Sequence, residues 1–165
     1  MIGPIMMDVS GLTLSEEEKT QLIKPSVGGV ILFSRNFENI HQLKSLVQSI
    51  RLTNQDLLIA VDHEGGRVQR FKEGFTQLPA MAKLGETYDQ KPDLAIEQAK
   101  SCGYVLAAEL LAVGVDFSFA PVLDLDYGAS SVIGDRAFHS NPDVVVKLAG
   151  SLIEGMHDAG MKCVG

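Results

Sequence analysis

The chain has 165 residues, 45% hydrophobic and 21% charged, and its 21 Asp and Glu against 14 Lys and Arg give a net charge of −7. That length suits one domain burying roughly 70% of its unfolded surface, with a globular composition. The acidic balance, with no Lys/Arg cluster, speaks against nucleic acid as a partner, and no stretch reaches the ~18 apolar residues of a membrane span.

Met1 to Asp8 carries no basic leader and no long apolar run before a cleavage site, so it reads as no signal peptide, and a cytoplasmic protein is expected. Ile5–Val9 is the first short strand. Thr13-Leu14-Ser15-Glu16 carries a capping-box pattern, and the helix it opens stops at Pro25. Gly28-Gly29 introduces Val30–Phe33, an apolar run too short for a helix and rich in β-formers, hence a strand buried on both faces. Asn39 and Gln42 offer a second capping box, and Leu43, Leu46, Val47 and Ile50 recur at helical spacing. Leu57–Val61 is the next buried strand, ending at Asp62. From about Gly65 to Lys91 the chain reads as loop-rich. Pro92 suits the first turn of a helix continued by Ala99, Cys102, Leu106, Leu110 and Val113 and ended by Gly114. Phe117–Leu125 is a strand bent near Pro121, with Ser118–Val122 its regular part. Asn141-Pro142-Asp143 opens a last helix that Gly160 stops, and Lys162–Val164 begins a fifth strand.

Alternating strands and helices imply parallel strands joined by right-handed crossovers. An open doubly wound sheet and a (β/α)8 barrel both fit. Polar residues just past the strands (Asp8, Ser34-Arg35, Asp62-His63-Glu64, Asp124-Leu125-Asp126) favour the barrel, whose strand ends converge on one mouth. A doubly wound nucleotide binder wants a Gly-rich turn after its first strand, and Gly11 stands alone there. With no internal repeat or linker, residues 1–165 read as a single domain, an α/β barrel of TIM type truncated at about its fifth strand. Cys102 and Cys163, without a CxxC or His-rich companion, read as small buried hydrophobes of a reducing compartment rather than a disulfide or metal site.

The most informative segment is Ile59 to Phe71. A buried strand delivers the Asp62 carboxylate to the sheet's C-terminal edge, Gly65-Gly66 turns the chain, and Arg67 and Arg70 follow. A carboxylate accepts two hydroxyl hydrogen bonds and a guanidinium donates in a planar fork, which suits vicinal sugar hydroxyls. An Asp–Arg pair that merely fixes a loop fits the spacing equally well. Asp62, His63 and Glu64 resemble metal ligands by type, but neighbours in an extended segment point to opposite faces, so no metal and no cofactor is expected. His41 and His157 lie in helical patterns as solvated surface residues.

Val61-Asp62-His63-Glu64-Gly65-Gly66-Arg67-Val68-Gln69-Arg70-Phe71 closely resembles the signature of bacterial β-N-acetylglucosaminidases of glycoside hydrolase family three. Further matches are Phe117 to Leu125, Ile133-Gly134-Asp135-Arg136-Ala137-Phe138 with Asn141-Pro142, and Gly28 to Phe33 with Asn36. They run in order over nearly the whole chain. The resemblance implies a barrel enzyme, acting in the cytoplasm, that trims terminal N-acetylglucosamine from peptidoglycan fragments during cell-wall recycling. Its substrate partner is then a small muropeptide. By position, Asp62, Arg70 and Arg136 bind hydroxyls of the non-reducing sugar, and Glu64 and Arg67 brace the loop. Asp124 and Asp126 read as structural. Ala137 and His139 depart from the Ser and Gly frequent at those places in the family, which touches the loop's shape but not Arg136.

In such enzymes a Lys-His pair follows the strand that starts at Lys162, a His acid/base with an Asp partner lies beyond it, and an Asp nucleophile comes from a later strand. The resemblance therefore assigns no catalytic residue within this chain. Retaining hydrolysis through a glycosyl-enzyme is expected of the family and inactivity of this chain alone. A piece of barrel is also expected to pair with another copy or with the missing C-terminal part. The competing readings are a non-catalytic sugar-binding half-barrel and, resting only on Asp62-His63-Glu64, a metal-dependent hydrolase.

Overall fold

The computed structural model describes residues 3–165; Met1 and Ile2, the start of the segment read as carrying no leader, lie outside the described residues. The elements run β1 (Ile5–Asp8), α1 (Glu16–Leu22), β2 (Val27–Leu32), α2 (Ile40–Thr53), β3 (Leu58–Val61), β4 (His63–Gly65), β5 (Val68–Gln69), α3 (Met81–Gln90), α4 (Pro92–Ala112), β6 (Phe117–Ser118) and α5 (Pro142–Asp158), with 3₁₀ turns at Ser34–Asn36 and Gly134–Arg136. One four-stranded parallel sheet has the order β1-β2-β3-β6, and β4 and β5 form a separate antiparallel hairpin. The order never reverses, so no switch point of the doubly wound kind forms.

Strand register sorts the side chains. Val30 pairs with Ile59, and Leu32, Val61 and Ser118 share the next row; all five are 0% exposed beneath the helices. The intervening rows, Met6–Gly29–Leu58 and Asp8–Ile31–Ala60–Phe117, point to the other face, where Leu58 stays 39% exposed. At its N-terminal end the sheet is fastened by Asp116. Its carboxylate accepts from Ile59 N (2.6 Å) and from Arg51 Nη2 at the end of α2 (2.7 Å to each oxygen), while Asp116 N donates to Ile59 O at 2.8 Å.

The helix caps differ from the sequence expectation. Ser15, not Thr13, caps α1: Ser15 Oγ accepts from Glu18 N (3.2 Å) and Glu18 Oε2 from Ser15 N (2.8 Å). Glu18 also accepts from Ser10, which ties the loop after β1 to the helix and settles the choice. Asn39 caps α2 through Gln42 N (3.0 Å), but the Gln42 side chain bonds Glu38 N and Leu12 O, leaving the second box half formed.

Three further expectations are corrected. The stretch from Gly65 to Lys91 holds the β4–β5 hairpin and α3, a helix whose apolar pattern is interrupted by Gly85. The expected strand Ser118–Val122 shrinks to Phe117–Ser118. Phe119 N still donates to Val61 O (3.0 Å), but Pro121 has no N–H to continue the ladder. Lys162–Val164 forms no strand; the chain there lies beside that same proline segment, so that a Cβ on Gly165 would stand 3.4 Å from Pro121 O.

Helices α4 and α5 form the most extensive helix pair, and two glycines let their backbones touch. A Cβ on Gly103 would sit 2.0 Å from Leu152 O, and one on Gly155 1.9 Å from Lys100 O, whereas Gly150 on the same helix has nothing within 4 Å. Helix propensity alone favours Ala over Gly by about 1 kcal/mol, and overpacking against backbone reverses that by roughly 1–3 kcal/mol. Gly103→Ala and Gly155→Ala are therefore expected to lower the melting temperature and Gly150→Ala to raise it slightly, in thermal unfolding followed by circular dichroism.

Candidate functional site

The site is built where β3 hands the chain to the β4–β5 hairpin. Gly65 and Gly66 adopt φ of +104° and +55°, left-handed values that a side chain resists, and a Cβ on Gly65 would meet Pro79 O at 2.6 Å. The hairpin's return is fixed by buried Gln69, whose amide donates to Phe71 O (3.1 Å) and Thr76 O (2.9 Å) and accepts from Leu78 N (3.0 Å). This turn carries Arg70 back to the strand end, where Arg70 Nη2 donates to Asp62 Oδ2 at 3.0 Å. Both side chains are about a quarter exposed (29% and 26%), and Arg70 Nε is buried without a partner.

One residue further, Glu64 takes a different arginine. Its carboxylate is 5% exposed and accepts two parallel bonds from Arg136 Nε and Nη2, both 2.8 Å. That hydrogen bond is the chief reason the Arg136 pKa is raised, with desolvation opposing it and the charges of Asp124 and Asp62 adding to it. Arg67 holds the same distant segment: Nε donates to the Asp135 carboxylate (Oδ1, 2.9 Å), and Nη2 to the backbone carbonyls of Ser131, Val132 and Ile133. The hairpin thus pins residues 131–136 over the strand end with two guanidiniums, one of them from each side of the contact.

Between the two carboxylates, His63 points the other way. It is 1% exposed, with its ring 5.8 Å from those of Phe71 and Phe75, and Phe37 packs on both phenylalanines. Nδ1 has no hydrogen-bond partner, and desolvation lowers the pKa to about 4. The backbone N–H of His63 donates to the hydroxyl of buried Ser118 (2.9 Å), which links the segment to β6.

Asp62, His63 and Glu64 therefore go to three separate partners. Among the described residues no three His, Cys, Asp or Glu side chains converge as a metal-binding group, and no helix is long and apolar enough to cross a membrane. Asp62 and Arg70 meet, as their spacing suggests. Arg136 stands with Glu64 and within the field of Asp62. What spacing did not reveal is that Glu64 and Arg136, 72 residues apart, form the most buried ion pair among the described residues; the alternation of Asp62 and Glu64 on one face was the available signal. Asp126 accepts from Gly128 N at 2.8 Å and shapes the intervening loop. His139 Nδ1 accepts from Asn141 N (2.9 Å), and Ala137 is buried, so the two departures from the family pattern are absorbed into the loop's packing.

Residues 4–165 match the family model described as the glycosyl hydrolase family 3 N terminal domain. A β-hexosaminidase from Aromatoleum aromaticum is 59% identical over 166 residues, covering 99% of this chain and 47% of that protein. One from Bordetella avium is 60% identical over 165 residues with the same coverage, 99% and 47%. The crystal structure of NagZ from Neisseria gonorrhoeae in complex with N-trifluoroacetyl-D-glucosamine superimposes with a TM-score of 0.96 at 53% identity, over 98% of this chain and 49% of that one. The chain spans about half the length of the curated relatives it matches.

Burial of His63 sets a pH dependence. With its pKa lowered to about 4 from the ordinary 6.5, the ring is neutral when folded, and protons bind preferentially to the unfolded chain. Its contribution is complete above pH 6.5 and is lost as the pH falls toward 4, about 3 kcal/mol in all. Urea unfolding between pH 7 and 4 is expected to show this loss in the wild type and a flatter profile in His63→Phe.

Proposed function

The chain belongs to the glycosyl hydrolase family 3 N-terminal-domain family, and from that premise we propose that it is the sugar-positioning part of an exo-acting β-N-acetylglucosaminidase. The observation that carries the reading is Asp62, set at a strand's C-terminal end with one oxygen on Arg70 and the other without a hydrogen-bond partner among the described residues. A second donor beside it is Arg136, oriented by Glu64 with N–H groups to spare. A pyranose offers adjacent hydroxyls that both accept and donate, which this arrangement matches. The similar gonococcal protein binds an N-acylated glucosamine, which supports the same sugar class here.

The substrate we assign is a peptidoglycan fragment with terminal N-acetylglucosamine, met in the cytoplasm during cell-wall recycling. The reaction we assign is retaining hydrolysis, in which a carboxylate attacks the anomeric carbon and water releases the sugar from the glycosyl-enzyme. Asp62, Arg70 and Arg136 hold the ring while bonds change elsewhere, the orientation share of catalysis. The nucleophile and acid/base are assigned to residues outside these 165, so the chain by itself binds without turnover. The sheet face bearing Met6, Leu58 and Phe117 then meets further strands, from additional chain or a second copy, as one incomplete barrel domain. A sugar-binding half-barrel without catalysis is the other reading, and hydrolysis of a chromogenic N-acetylglucosaminide by the enzyme carrying this chain separates the two.

In that enzyme, Asp62→Ala removes charge-assisted bonds worth ~1.5–3 kcal/mol, so kcat/KM is expected to fall roughly ten- to hundredfold or more. Arg136→Ala is expected to do the same and also to lower the melting temperature, because it leaves the buried Glu64 carboxylate unpaired. Arg67→Ala is expected to act mainly on stability. Steady-state kinetics with parallel thermal melts reads all three, and wild-type kcat/KM in Asp62→Ala would end the assignment.

A further inference from the structure

Arg70 and Arg136 face the proposed sugar under different constraints. Arg136 makes two parallel bonds to one carboxylate, a geometry that fixes the guanidinium plane by itself. Arg70 makes one bond to Asp62 and its Nε makes none, so hydrogen bonding leaves its plane free to pivot about Asp62 Oδ2. A second restraint is needed if Arg70 is to present its remaining N–H groups in a defined direction.

The restraint available is Phe33. Its ring lies 5.8 Å from Arg70 Cζ and 4.7 Å from Arg35 Cζ, so two guanidiniums share one aromatic side chain, each with its own carboxylate beyond it: Asp62 for Arg70 and Asp8 for Arg35. The backbone that carries the ring is itself held in place. Phe33 N donates to the side chain of Asn36 (2.8 Å), and fully buried Asn36 donates to the carbonyls of Val9 (2.9 Å) and Gly11 (2.8 Å); Arg35 Nε also donates to Val9 O at 3.2 Å. The ends of β1, β2 and β3 are thus joined in one chain of contacts, Asp8–Arg35–Phe33–Arg70–Asp62.

We propose that Phe33 is a positioning residue of the sugar site, its ring face setting the plane of Arg70, with the Arg35–Asp8 pair steadying the ring. The inference rests on the assignment of Arg70 as a sugar contact. It differs from a packing role in what it demands of the side chain: an aromatic face, since a cation is drawn to the ring quadrupole and not to an alkyl group of similar volume. Substrate and transition state use Arg70 alike, so the effect falls on KM more than on kcat.

Two readouts test it. In the 165-residue chain, the Nε–H of Arg70 is buried and its NMR signal is expected to carry the upfield shift of a proton near an aromatic ring. Phe33→Leu abolishes that shift and Phe33→Tyr keeps it. In the enzyme carrying this chain, Phe33→Leu is expected to raise KM for an N-acetylglucosaminide roughly three- to tenfold with kcat little changed, Phe33→Tyr to restore it, and Arg35→Gln to give a smaller rise. Melting curves identify any variant that fails to fold, in which case Arg35→Gln and Phe33→Tyr decide. If Arg70→Ala raises KM but Phe33→Leu matches the wild type, or if Tyr does no better than Leu, the inference is overturned while the sugar assignment stands. If Arg70→Ala itself leaves KM unchanged, the assignment fails and the inference with it.

Discussion

The extended run from Val61 to Glu64 leaves each side chain on the face opposite its neighbours, and what surrounds the strand end follows from that alternation. Val61 and His63 go toward the buried side, one under the helices and the other into the Phe37–Phe71–Phe75 cluster. Asp62 and Glu64 go to the mouth, where each meets an arginine brought in from elsewhere. A slip of one residue would exchange the two sets, placing two carboxylates among phenylalanines, a burial that costs several kcal/mol per charge. The polar site and the apolar anchor thus enforce the same register.

The two carboxylates meet their arginines at different cost. Glu64 is nearly out of water, and its two hydrogen bonds from Arg136 make the pair a structural fastening that also aims a guanidinium. Asp62 keeps contact with solvent and, among the described residues, one oxygen without a hydrogen-bond partner, and its single bond to Arg70 leaves both groups capacity for a ligand. Rigid pairing behind and incomplete pairing in front is what a preorganised binding surface requires.

Much of this was legible in the residues. Short apolar runs, helical spacing and glycine or proline punctuation located β1, β2, β3, α2, α4 and α5, because those signals come from backbone geometry that tertiary contacts did not override. The Asp62–Arg70 meeting followed from the Gly65-Gly66 turn between them. Less was legible wherever a long-range contact decided the local outcome. Glu18 reached back to Ser10 and moved the cap of α1; α3 formed around Gly85 because that glycine admits the Phe138 carbonyl, where a Cβ would stand 1.9 Å away. The clamp of Arg67 on residues 131–135 likewise has no local signature, since a guanidinium that serves carbonyls can sit opposite any sequence.

That clamp also orders events in time. Its contacts, with the Glu64–Arg136 pair, close loops of 64 to 72 residues, whereas the hairpin and the β2–β3 register close far shorter ones. Loop closure must be met before such distant bonds give anything back. The strand end and its aromatic anchor therefore assemble early, and the 131–136 segment settles onto them late. Mutations in the clamp then act chiefly on the unfolding rate and leave the folding rate nearly untouched. The Arg136 side of the proposed binding face is thus expected to form after the Asp62–Arg70 side and to come loose before it.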